Sequence, residues 1–140
     1  MSGEATDLVR QMTIFARTVL AALALAPAAL AADRWSHAQV VTEVMVDNSF
    51  QPDHLTFRSG QPYELRLENR GKDMHEFTAP AFLRAATVRD KRLVANGGTD
   101  IVVQPGTSVR IFLIPGPKGQ YELHCADHDW DGMVGEITVD

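Results

Sequence analysis

Three side chains that bind soft metal ions fall within nine residues near the C-terminal end of the sequence. Cys125, His128 and Met133 follow the pattern C-x2-H-x4-M, and Gly132 and Gly135 flank the methionine. A strand that leads into a loop can bring the imidazole back to the thiolate, and the glycines let the chain turn tightly beneath them. The spacing therefore predicts a strand, a short loop and a second strand at this point of the fold.

These donors indicate a particular kind of metal site. A thiolate, two imidazoles and a weak axial thioether make up the ligand set of a type 1 copper centre for electron transfer. His75 is the candidate for the second imidazole, although its distance along the sequence does not by itself show that it meets Cys125. We therefore predict one copper ion, Cu(I) or Cu(II), with His75, Cys125, His128 and Met133 as metal ligands.

Other metal and catalytic sites fit the sequence less well. A binuclear copper site needs two bridging cysteines, and multicopper oxidases need His-x-His pairs, whereas this sequence has one cysteine and no such pair. A structural zinc site normally has four Cys or His ligands. Hydrolysis by Cys125 and His128 would leave Met133 without a role. His124 has the opposite strand parity to Cys125, so we expect it to face away from the metal. We do not expect an enzyme.

The remaining sequence predicts an all-β domain. Residues 63–69 alternate, with Tyr63, Leu65 and Leu67 on one face, as in a half-buried strand. Short strands separated by turns that contain proline and glycine favour a β-sandwich. The predicted strands cover residues 40–46, 55–57, 63–69, 101–103, 108–114, 121–125 and 135–139, and residues 81–87 are predicted as a short helix.

The N-terminal region predicts a secretory signal peptide. Residues 19–32 are apolar and rich in alanine, Arg17 precedes them, and residues 29–31 offer small side chains for cleavage. The run is shorter than the roughly 20 apolar residues of a spanning helix, and a retained N-terminal anchor stays an alternative. Met12 is an alternative start. We expect a signal peptide at 1–31 and one domain at 32–140, periplasmic and without a membrane span.

Charge restricts the class of partner. The formal net charge is −5, which argues against nucleic acid and favours a cationic partner or none. Asp127, Asp129 and Asp131 alternate with His128 and Trp130. They form either a solvated turn or an acidic rim that steers a basic partner, and Trp130 is either a contact residue or a lid on the loop.

The sequence resembles the cupredoxins, the family of plastocyanin, pseudoazurin, amicyanin and azurin. The resemblance covers roughly residues 40–140 and rests on the C-x2-H-x4-M loop, F-x-P-x-x-L-x-F at 50–57, Asn69 followed by His75, and G-M-x-G at 132–135. It implies a Greek-key antiparallel β-sandwich with His128 at the solvent edge, where electrons leave. Glu76 stands where the family commonly has Asn or Ser, which puts the expected hydrogen bonding around Cys125 in question.

Two functions remain open at this stage. The first is a monomeric periplasmic one-electron carrier whose partner is a redox protein such as a basic cytochrome c or a respiratory complex. The second is a periplasmic copper-binding protein for sequestration, delivery or resistance, with the same ligands. A carrier should hold copper through many redox cycles, whereas a delivery protein should surrender Cu(I) to an acceptor.

Overall fold

Residues 34–140 are described by a computed structural model, and the predicted signal peptide and the alternative start lie outside them. Ten strands account for most of the regular structure in this range. In chain order they are β1 (Gln39–Val46), β2 (Ser49–Gln51), β3 (His54–Phe57), β4 (Tyr63–Asn69), β5 (His75–Thr78), β6 (Thr87–Val88), β7 (Asp100–Val103), β8 (Ser108–Ile114), β9 (Gly119–His124) and β10 (Val134–Val139). Helix α1 (Pro80–Ala85) and the short 3₁₀-helices Lys91–Leu93 and Asp129–Asp131 lie in the connections. Within residues 34–140, no helix combines the length and the hydrophobicity that crossing a membrane requires.

The strands form two sheets of a β-sandwich, as predicted. The order in the first sheet is β2-β1-β4-β8-β6, and in the second it is β3-β10-β9-β5-β7. Most neighbouring strands are antiparallel, but β1 with β4 and β3 with β10 are parallel. Parallel neighbours need a crossover connection. After β1 and β2 of the first sheet, the chain crosses to the second sheet to form β3, and it then returns to the first sheet as β4.

Alternating apolar side chains fill the space between the sheets. Tyr63, Leu65 and Leu67 of β4 are all buried, which confirms the face predicted for this strand. Phe57 of β3 packs edge-on against Tyr63, with ring centroids 4.9 Å apart, and stacks on Phe82 of α1 at 5.3 Å. Burying one such side chain contributes about 2 kcal/mol, so this core fixes the strand ends from which the loops project.

Strand β5 is absent from the predicted set, and it matters for the site. Its four residues are all buried, yet His75, Glu76 and Thr78 are polar, so neither an alternating pattern nor an apolar run marks the strand. It pairs with β7 along its length and with β9 at Thr78 and His124. Because the pair is antiparallel, the end of β5 lies beside the end of β9, and the start of β5 runs past it, beside the residues that begin with Cys125.

Candidate metal centre

Cys125 lies directly after β9 and is fully buried. Leu123 is buried as well, while His124 between them is partly exposed, which confirms the predicted strand parity. The N–H of Cys125 donates to the carbonyl of Met133 at 3.1 Å, and the N–H of His128 donates to the carbonyl of Cys125 at 3.1 Å. The first bond joins the two ends of the 125–133 loop, and the second closes a turn at its start.

The structure brings His75, Cys125 and His128 together. Their nitrogen and sulfur atoms lie within 4.8 Å of one another. Cys125 Sγ is 3.4 Å from His128 Nδ1 and 3.9 Å from His75 Nδ1. A metal held in a plane at about 2.3 Å from sulfur and about 2.0 Å from nitrogen, the lengths typical of zinc, separates these donors by about 3.7 Å. The observed distances differ from this value by a few tenths of an ångström, so the cluster fits one metal ion.

Met133 is fully buried on the same loop. Its N–H donates to the carbonyl of His128 at 3.2 Å. Gly132 before it has φ +90°, a left-handed conformation that favours glycine, and it ends the 3₁₀-helix Asp129–Asp131. Gly135 is needed for another reason, because a Cβ there would lie 2.7 Å from the carbonyl oxygen of Asp53. Gly132 therefore turns the loop, as the sequence indicated, whereas Gly135 lies in β10 and allows the close approach of the Asp53 backbone.

Burial raises the pKa of the Cys125 thiol. Loss of solvation is the largest cause, and backbone N–H groups of Glu76, Asp127 and His128 oppose it. A reactive cysteine needs a lowered pKa and access to solvent, and this thiol has neither. A cation that replaces its proton offsets the burial, so the donor set suits a bound metal better than a Cys-His nucleophile.

Glu76 keeps a hydrogen bond to the sulfur despite the unusual side chain at this position. The backbone N–H of Glu76 donates to Cys125 Sγ at 3.4 Å. This contact does not use the Glu76 side chain, so the departure from Asn or Ser leaves it intact. The carboxyl itself is nearly buried, and burial, followed by the charges of Asp127 and Asp100, raises its pKa.

His75 has two neighbours that sequence analysis did not identify as part of the site. The imidazole is fully buried, and its Nε2 lies 3.4 Å from Asp47 Oδ1. Gly71 approaches both groups, since a Cβ there would lie 2.7 Å from His75 Nε2 and would clash with Asp47 Oδ1. In the sequence Asp47 and Gly71 look like ordinary loop residues, and no spacing rule connects them to His75.

The surface beside the cluster is acidic and carries one exposed aromatic ring. Asp127, Asp129 and Asp131 are exposed, and His128 is partly exposed, whereas His75 is inaccessible. Trp130 is 78% exposed, and its Nε1 donates to the carbonyl of Asp127 at 3.0 Å. This exposure favours Trp130 as a contact residue over a packed lid.

Comparison with known proteins agrees with this architecture. The family model of the cupredoxin-like domain matches residues 16–139. The fold is similar to that of dithionite-reduced auracyanin from the photosynthetic bacterium Roseiflexus castenholzii, with 16% identity, a TM-score of 0.56, and coverage of 74% of this chain and 98% of that one. Auracyanin B is 18% identical, with a TM-score of 0.56 and coverage of 74% of this chain and 89% of that one. The family match spans most of the chain, and the His75-Cys125-His128 cluster has the donors of a copper site. The protein therefore belongs to the cupredoxin family, and its cofactor is one copper ion.

Proposed function

We propose that the protein is a one-electron carrier whose copper ion is bound by His75, Cys125, His128 and Met133. The observation that carries the proposal is the buried Cys125 Sγ with an imidazole Nδ1 on either side, at 3.4 Å and 3.9 Å. Bound copper supplies a Cu(I)/Cu(II) couple, and sulfur and imidazole ligands suit it. The protein fixes these donors at strand ends, so one arrangement serves both oxidation states and no substrate bond is made or broken.

Electron exchange takes place at the His128 edge. Of the two imidazoles in the cluster, His128 is the partly exposed one, and His75 is buried. Asp127, Asp129 and Asp131 are exposed in the same loop as His128 and form the acidic rim of this edge, and opposite charge steers a partner during encounter. The partner is therefore a basic redox protein, such as a cytochrome c or a respiratory complex, that meets the carrier as a monomer.

The carrier acts in the periplasm. This part of the proposal is supported by the apolar run at 19–32 and the small residues at 29–31. Cleavage after residue 31 would release a mature domain of residues 32–140, a range that contains the compact unit Trp35–Asp140. Copper is then acquired after export.

The visible absorption spectrum of the Cu(II)-loaded protein tests the function. We expect an intense thiolate-to-copper band that bleaches with ascorbate and returns on reoxidation, with copper retained over repeated cycles. A pale Cu(II) form that gives up Cu(I) rapidly to a competing chelator would contradict electron carriage. That outcome would favour the second function, in which the same ligands sequester or deliver copper in the periplasm.

Replacing Met133 with leucine should keep copper bound and raise the reduction potential. Leucine preserves most of the buried volume but removes the thioether, a weak axial donor that stabilises Cu(II) more than Cu(I). Redox titration and copper content check this result. Met45→Leu is the matched control, because Met45 is also fully buried, and its potential should stay unchanged. Loss of copper from Met133→Leu would show that Met133 is more than a weak axial ligand.

A further inference from the structure

His75 can bind copper through Nδ1 only if its ring proton is on Nε2. The Nδ1 atom faces Cys125 Sγ at 3.9 Å, so the proton must be held on the opposite side of the ring. Nε2 is buried and makes no close hydrogen bond within the described part of the chain. A buried N–H without an acceptor is unfavourable, so the choice of tautomer depends on what lies next to this atom.

The group next to this nitrogen is a carboxylate held in place by the backbone. Asp47 Oδ1 lies 3.4 Å from His75 Nε2 and accepts the N–H of Lys72 at 2.8 Å. Gly71 makes room for the pair, because a Cβ at this position would clash with Asp47 and lie 2.7 Å from Nε2.

We propose that Asp47 is a positioning residue for the copper ligand His75, accepting the Nε2 proton and thereby directing the Nδ1 lone pair toward the metal. The proposal rests on the ligation proposed for His75. A carboxylate partner raises the basicity of a ligating imidazole and favours the more positive metal ion. Asp47 therefore also lowers the reduction potential of the centre. The turn between β1 and β2 thus influences a ligand on a strand of the other sheet.

The tautomer of His75 in the metal-free protein is the first test. Nitrogen-15 NMR of labelled imidazoles at pH 8 distinguishes the tautomers, and the signal that disappears in His75→Gln identifies the residue. We expect the Nε2–H form in the wild type and in Asp47→Asn, whose amide oxygen still accepts the proton. Asp47→Ala should lose this preference and give a mixture. A wild-type ring protonated on Nδ1, or an unchanged tautomer in Asp47→Ala, would overturn the proposal.

The reduction potential of the copper-loaded protein is the second test. Asp47→Asn keeps the acceptor but removes the negative charge, so the potential should rise. Asp140→Asn is the matched control. Asp140 is exposed, its backbone bonds to Phe57 and Ser59, and the potential of this variant should stay at the wild-type value. An equal potential in Asp47→Asn would overturn the electrostatic part. If the wild type develops no copper colour, the proposed function fails, while the NMR result still decides the role of Asp47.

Discussion

Replacing Cys125 with alanine is expected to abolish the intense visible absorption of the Cu(II)-loaded protein. The band requires a thiolate bound to copper, and Cys125 is the chain's one cysteine. His75 and His128 would still bind Cu(II), but weakly and with a pale colour. Loss of an outer-shell partner lowers the affinity of a metal site by up to about 100-fold, so loss of the thiolate ligand itself should lower copper affinity by more than that. Visible absorption and copper titration measure the two effects.

A neighbouring substitution separates loss of a ligand from damage to the loop. His124 precedes Cys125 with the opposite strand parity and is partly exposed, so His124→Ala should keep the band. Metal-free Cys125→Ala should remain folded, because a small buried side chain is replaced by a slightly smaller one, at a cost of about 1 kcal/mol. A band that persists in Cys125→Ala, or disappears in His124→Ala, would contradict the ligand assignment.

The parts of the site that were predictable from the sequence are those that depend on local structure. Cys125 and His128 lie three residues apart in one loop, so their spacing and the adjacent strand parity largely determine how they meet. The alternation of Tyr63, Leu65 and Leu67 likewise predicts a strand face without knowledge of its partners. In each case a pattern of a few consecutive residues carries the geometry.

The approach of His75 to the cluster depends on contacts between distant segments, so a local pattern could suggest it but could not establish it. Strand β5 reaches Cys125 by pairing with β7 and β9, and its buried residues are mostly polar. The contact between Asp47 and His75 further requires the turn after β1 to lie against the start of β5. Such register and loop placement follow from the packing of the whole sandwich, which no short pattern encodes.

A buried acid on β1 is a second feature that the sequence did not reveal. Glu43 shares the inward-facing side of the strand with Met45, both are fully buried, and neither Glu43 carboxyl oxygen has a hydrogen bond of good geometry within residues 34–140. Burial raises the pKa of Glu43 from 4.5 to about 8, the nearby Gln51 backbone lowers it, and the charge of Asp53 raises it. The carboxyl is therefore protonated in the folded protein at neutral pH and ionised in the unfolded chain.

Glu43→Gln should therefore stabilise the protein at alkaline pH but not at acidic pH. Below pH 4.5 Glu43 is protonated in both states and has no effect on the pH dependence. Between pH 4.5 and about 8 the unfolded wild type releases a proton from Glu43 that the folded protein keeps. The stability of the wild type relative to Glu43→Gln therefore falls by roughly 1.4 kcal/mol per pH unit. Above pH 8 the difference in stability between the wild type and Glu43→Gln levels off, on the order of 5 kcal/mol.

Urea unfolding of the metal-free protein from pH 4.5 to 9 measures this difference. Other titrating groups are common to the wild type and Glu43→Gln, so the difference between the two free energies of unfolding isolates Glu43. Glu122→Gln, an exposed position on β9, is the matched control and should run parallel to the wild type. If Glu43→Gln also ran parallel, the carboxyl would titrate alike in both states, and solvent would have to reach it inside the sandwich.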